Sequence, residues 1–275
     1  MSSSTNTTEI IEPFRLLHWV HKIGNYETSR AFYEQVLNMK EQRHEHFDAG
    51  CEAACNGRYQ NRWTKTMIGY GSEDKHFVLE LTANFGIKSY KLGNDFNQIV
   101  IHSDDKKETV TDPDGYKYQL VNRNEIDVKN EYEHDLVQYV SLFTSNVKRQ
   151  TNFYTGVLGM KIFHESEGRV ILGYANDQAK IEFLQLKPEE ELVHGQAFGR
   201  LAVSSKIDIK TMHKRVLESK QDDEFATSQV SIVKEPVVLS TPGKADVEVV
   251  IISDCDGYEI CFAEEVGFLA LALGQ

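Results

Sequence analysis

The chain has no long apolar run, no excess of positive charge, and few cysteines, prolines or tryptophans. No stretch approaches the roughly 18 to 20 apolar residues that a membrane-spanning helix needs, and the closing GFLALALGQ falls well short. Lys and Arg number 30 against 42 Asp and Glu, a formal net charge of −12. With no basic surface to track phosphates, nucleic acid and anionic membranes drop out as expected partners and a small molecule remains. Cys51, Cys55, Cys255 and Cys261 are too few and too uneven for a disulfide scaffold, so small buried thiols in a reduced compartment are expected. The opening MSSSTNTTEIIEP lacks both the apolar core of a secretory signal and the arginines of a transit peptide. It reads as a disordered tail over residues 1–13, with the cytoplasm as the expected location and the mitochondrion as the alternative.

What the chain does have is a statement made twice. RLLHWVHKIGNYETSRAFYEQVLNMK, from Arg15, recurs from Asp135 as DLVQYVSLFTSNVKRQTNFYTGVLGMK. At a constant offset of 121, Phe32 and Tyr33 match Phe153 and Tyr154, and Met39 and Lys40 match Met160 and Lys161. Three looser echoes follow in the same order: IGYGSEDKHFVLEL with LGYANDQAKIEFLQL, FNQIVI with FGRLAV, and DPDGYKYQL with DCDGYEICF. A unit this long is a duplicated domain and not a solenoid repeat.

Each copy opens with a short apolar strand, Leu16 to Ile23 and Val137 to Phe143. A helix follows, with Ala31, Phe32, Gln35 and Val36 on a helical period, closed by Asn38 or Gly159. Alternating runs such as Phe77, Leu79 and Leu81 against Val78, Glu80 and Thr82 then predict further strands. The order strand, helix, strand, strand, strand returns from Arg200 to Ala263. In the first half it does not return: Gln98 to Asp112 spans 14 residues where Arg200 to Asp254 spans 54. About forty residues are missing there, enough to remove a helix and at least one strand. The DPDG and DCDG stretches read as hairpin turns, since the spaced ligands and closing Glu of a calcium loop are absent.

These residues resemble glyoxalase I and its two-domain relatives in the vicinal-oxygen-chelate superfamily, over about residues 15 to 265. RLLH, FY, VLNMK, ELTANFG, KLGNDF and DPDGYKYQL occur in nearly the family order. The resemblance implies an α+β fold of paired βαβββ modules. It sets a first glyoxalase-like domain at 14–124 with its second module shortened, a linker at 125–136, a second domain at 137–265 and a tail at 266–275 that docks as a helix or strand.

It also implies a divalent metal, Zn²⁺, Ni²⁺ or Co²⁺, held by one residue near the end of a module's first strand and one in its last strand. Those positions here are His18, Glu80, Gln98 and Gln119, with His102 a rival on the face of Gln98. Histidine nitrogen and carboxylate oxygen suit such ions, and open positions would let the metal act as a Lewis acid. Gln119 stands where the family carries its proton-transferring Glu, and an amide cannot accept that proton. Glu80 is left as the catalytic base. Glutathione contacts carry over to Lys22 and Asn84, while a further family Arg falls at Asn94.

The corresponding positions of the second half are Tyr139, Glu182, Arg200 and Cys261, where no metal is expected and Arg200 is a candidate partner for Glu182. The bare residues allow blander readings: a strand histidine at 18, core amides at 98 and 119, a solvated Lys22 and a turn-forming Asn84. Two pairings of the four modules also stay open. If the first pairs with the fourth and not the second, His18 and Glu80 face Arg200 and Cys261, and the ligand set dissolves. The leading expectation is therefore a lyase acting on the hemithioacetal of methylglyoxal and glutathione, and the alternative is a catalytically silent binding or scaffold protein of the same fold.

Overall fold

The computed structural model describes residues 12–274 apart from 127, 129, 132–134, 198 and 242. The tail expected at 1–13 lies outside the described residues except for Glu12 and Pro13. The first module is β1 (Phe14–Lys22), α1 (Tyr26–Gln35), β2 (Lys40–Phe47), β3 (Trp63–Gly69) and β4 (Val78–Asn84). The shortened second module is β5 (Phe96–His102), β6 (Glu108–Thr111) and β7 (Lys117–Val121), without the helix and one strand, as the 14-residue interval requires. The third holds β8 (Val137–Thr144), α2 (Val147–Gly156), β9 (Lys161–Ser166), β10 (Arg169–Gly173) and β11 (Lys180–Gln185). The fourth holds β12 (Arg200–Ser205), α3 (Ile209–Ser219), the short α4 (Asp223–Ala226), β13 (Ser231–Leu239), β14 (Val247–Ser253) and β15 (Glu259–Glu264), followed by α5 (Glu265–Ala272). The docked element expected at the C-terminal end is this last helix.

The helices start where the sequence supplies a cap. Asn25 accepts from the Thr28 amide at the head of α1, and Asn146 accepts from Arg149 at the head of α2. Gly159 turns the chain after α2 at φ +76, and Asn38 does the same after α1 at φ 55, the left-handed residue that closes many helices.

The modules pair across the halves. One sheet runs β13-β14-β15-β12-β1-β4-β3-β2 and the other β6-β7-β5-β8-β11-β10-β9. The first module therefore joins the fourth through antiparallel β1 and β12, and the second joins the third through antiparallel β5 and β8. Residues 14–124 and 137–265 each contribute to both sheets. A single continuous core, including Trp19, Leu81, Ile99, Phe153, Leu201 and Phe262, runs between them, and each sheet turns its other face outward as a cup.

The duplicated Asp-x-Asp-Gly-Tyr turns hold each half together where the sheets do not. Asp112 accepts from the Tyr33 hydroxyl of α1 at 2.7 Å and from the amides of Asp114 and Tyr116. Asp254 likewise accepts from Tyr154 of α2, from Gln150, and from the amides of Asp256 and Tyr258. The second Asp grips the strand-to-helix corner: Asp114 accepts from the Gly24 amide and the Ser29 hydroxyl, and Asp256 from Thr144 and Ser145. The following tyrosine then seals the end of the first strand, Tyr116 on Lys22 and Tyr258 on Phe143.

Burial pushes the Asp254 carboxyl up to about 7 and Asp112 up to about 6. A carboxyl whose native pKa exceeds its unfolded value keeps its proton longer in the folded state, so stability falls as pH rises between the two values. For Asp254 that window runs from 3.8 to about 7. Asp254→Asn should flatten the loss of stability across this range in urea titrations, and a slope identical to that of the natural chain would refute the assignment.

Candidate functional site

A bulge in β1 aims the opening histidine. The β1 to β12 register slips between Leu16 and His18, adding one residue to β1, so Leu16 and Trp19 face the core while Leu17 and His18 both face the cup. Bulges commonly re-aim side chains beside functional sites. His18 Nε2 lies 3.4 Å from Glu80 Oε2, and Glu80 also accepts from the Thr82 hydroxyl at 3.2 Å. Burial lowers the His18 pKa to about 3, leaving a neutral imidazole whose Nδ1 has no hydrogen-bond partner.

Opposite this pair stand Arg200 and Cys261, in a cavity of about 120 Å³ lined also by Arg43, Lys65 and Cys55. Arg200 pairs with Glu259 through Nε at 2.8 Å and through Nη2, and donates to the carbonyls of Ala53 and Ala54. It thus ties the loop between β2 and β3 over the cup. Arg43 pairs with Glu73 and Glu45, and Lys65 with Glu45 at 3.1 Å. Burial pushes the Cys261 thiol up to about 11. The rest of the wall is apolar, with Leu17, Ala202, Val247 and Val249 meeting Phe268 and Leu271 of α5.

Gln98 and Gln119 lie in the other sheet, where Gln98 Nε2 donates to Gln119 Oε1 at 2.5 Å. Their neighbours are Ser141 and Glu182: Gln98 is in register with Ser141, whose hydroxyl donates to Glu182. Glu182 is neutralised by Arg169 at 2.6 Å, which corrects the expectation that Arg200 would do so. This second cup is filled by Ile126 and Val128 from the connection between β7 and β8. His102 pairs with Asp104 at 3.0 Å.

The four residues expected to hold a metal are therefore divided between two sheets, His18 and Glu80 in one and Gln98 and Gln119 in the other. Zn²⁺, Ni²⁺ or Co²⁺ does not fit what the first cup offers. Two donors are present, but the third position holds a guanidinium with no lone pair to give, which puts a positive charge where a further ligand would be needed. Among the described residues no group of three or more His, Cys, Asp and Glu converges as a metal cluster.

The expected glutathione contacts are packed into the fold. Lys22 is buried, its ammonium lowered to about 8 by burial. Asn84 is buried too, bonding Asn56, the Asn56 carbonyl and the Tyr90 hydroxyl. Asn94 pins the segment from Glu191 to Val193. Cys51 and Cys55, expected as separate thiols, are joined as a disulfide in the loop that Arg200 anchors. The sequence reading missed Arg43, Lys65 and the two α5 side chains. Nothing local in the sequence shows which cup these side chains line.

A family profile described as Glyoxalase domain-containing protein 4-like, C-terminal domain, matches residues 146–271. The chain is 39% identical to Glyoxalase domain-containing protein 4 of Rattus norvegicus over 277 residues, covering 94% of this chain and 88% of that one. It belongs to the glyoxalase domain-containing protein 4 family. Within reach of that family, it is also 39% identical to a protein named Glyoxalase 1 of Caenorhabditis elegans over 273 residues, 94% of this chain and 91% of the other. Glyoxalase I from Zea mays superposes with a TM-score of 0.76 at 22% identity, covering 95% of this chain and 96% of that structure, which establishes the fold shared by this glyoxalase domain-containing protein.

Removing the guanidinium should loosen the cup. Arg200→Ala leaves the part-buried Glu259 and the Ala53 carbonyl without their partner, a loss of about 1–3 kcal/mol, and frees the exposed Ala54 carbonyl. Trypsin should then cut faster after Arg58 or Arg62. Arg200→Lys should not restore resistance, because a single ammonium cannot reproduce the fork. Unchanged cleavage in both variants would show that the anchor is dispensable.

Proposed function

We propose that this chain is a binding protein of the glyoxalase fold that takes a small molecule in the first-sheet cup and lacks the four-ligand metal centre of a lactoylglutathione lyase. The observation carrying this is the β1 to β12 pairing, which sets Arg200 and Cys261 opposite His18 and Glu80. With α5 in place the cavity is about 120 Å³, and its lining is apolar along the wall and charged at one end, which is how small-molecule sites are ordinarily lined.

A second reading is favoured by the His18 and Glu80 pair itself and by the 39% identity to a relative named Glyoxalase 1. In it, Glu80 accepts the proton from one carbon of the methylglyoxal and glutathione hemithioacetal and returns it to the next. One assay separates the two. With methylglyoxal and glutathione, and with Zn²⁺, Ni²⁺ or Co²⁺ added in turn, the purified chain should form lactoylglutathione no faster than buffer, and elemental analysis should find no stoichiometric metal. A metal-dependent rate that disappears in Glu80→Gln would overturn the binding-protein reading in favour of the lyase.

A further inference from the structure

Each cup is closed by the segment that follows the last strand of its sheet's even-numbered module, and the two closures are fastened very differently. Ile126 and Val128 fill the second cup on a segment that is cross-bonded: Arg123 donates to the Asn130 carbonyl, and Asn130 bonds Gln138 and the Val137 carbonyl. In the first cup α5 inserts Phe268 and Leu271 beside Leu17, Ala202 and Val249. It is held by the Glu264 cap on the amides of Val266 and Gly267, a half-exposed Lys206 to Glu265 pair at 3.9 Å, and the Arg15 guanidinium 6.0 Å over the Phe268 ring. Val266 is 75% exposed. Eight residues cannot hold a helix in water without tertiary support, so the apolar contacts of Phe268 and Leu271, with those of the part-buried Leu269 and Ala272, decide whether α5 stays. Phe268 and Leu271 leave a cavity of about 120 Å³ between themselves and the charged end.

We propose that α5 is a displaceable plug: Phe268 and Leu271 occupy the place of a ligand's apolar body, and the cup receives its ligand when α5 swings out. The ligand class that follows is a small molecule with an aromatic or branched alkyl body and a polar head directed at Arg200, Glu80 and His18. This second part rests on the cup being a ligand site, whereas the plug itself does not.

Cys261 lines the cup beneath α5, while Cys255 lies against α2, its Sγ 4.0 Å from the Arg149 carbonyl. Their reaction rates with a maleimide, followed by mass mapping of the native full-length chain, therefore report opening of α5 against opening elsewhere. Cys261 is part-exposed and Cys255 buried with α5 in place, so the natural chain sets the baseline and the change on loosening α5 is the readout. Phe268→Ala with Leu271→Ala should accelerate Cys261 by about tenfold or more without changing Cys255. Gly267→Ala is the sharper variant, since alanine is the better helix former yet its Cβ would meet the Asp246 carbonyl oxygen at 2.6 Å. It too should accelerate Cys261. If Cys261 reacts only at the rate of global unfolding, or both cysteines accelerate together, α5 is a fixed part of the core and the plug is refuted. Anilinonaphthalene sulfonate, an apolar-bodied anion, should bind the opened variants better than the natural chain. Selective Cys261 exposure without added dye binding would uphold the plug and overturn the ligand-cup reading.

Discussion

The antiparallel seam between β1 and β12 governs the rest of the molecule. It commits the first module to the fourth and leaves the shortened second module to pair with the third. It also carries the one-residue bulge that turns Leu17 and His18 into the same cup. Because side chains alternate across a strand, a slip of one residue exchanges the two faces. Without the bulge, the alternation that buries Phe14 and Leu16 in the core would send His18 there as well, an imidazole in an apolar interior. With it, the strand supplies the core at both ends and still presents an imidazole to Glu80. The chemistry available in the cup is thus a consequence of strand partnership more than of any single motif.

Exchanging modules between sheets would leave each half of the chain split across the molecule, and the duplicated turns offset this. In both halves the first Asp of the turn takes the hydroxyl of the helix tyrosine, the second takes the corner after the first strand, and the tyrosine seals that strand. Two copies of the same clamp explain why FY and D-x-D-G-Y survive duplication together while the strands between them drift. The helix of one sheet is fastened to the hairpin of the other, so the shared core is bounded by polar locks whose buried carboxyls accept several donors each. Such networks are costly when half satisfied and rigid when complete.

What the sequence discloses follows from how local each determinant is. The strand and helix order is written in periodicity, and the missing helix of the second module in a simple difference of intervals. Tyr33, Tyr154, Asp112 and Asp254 stood out as repeated letters before their hydrogen bonds were known. Module pairing is not local: β1 and β8 are both apolar strands with equivalent neighbours, and either could accept β5 or β12 as far as pattern is concerned. Every ligand assignment beyond His18 and Glu80 depended on that choice, which is why Gln98 and Gln119 carry no information about the first cup. The partner of Glu182 was misread for a related reason, since Arg169 sits on the hairpin neighbour β10, an adjacency that needs the register and not the alignment of repeats.

The charged end of the first cup has its own balance. Lys22, Arg43, Lys65 and Arg200 are gathered there with Glu45, Glu73, Glu80 and Glu259, four cations with four carboxylates. Arg200 is the cation fixed most firmly, its hydrogen-bond geometry set by Glu259 and two loop carbonyls. The same arginine thereby neutralises Glu259 and anchors the loop above it, so one side chain sets both the charge balance and the closure of the cup.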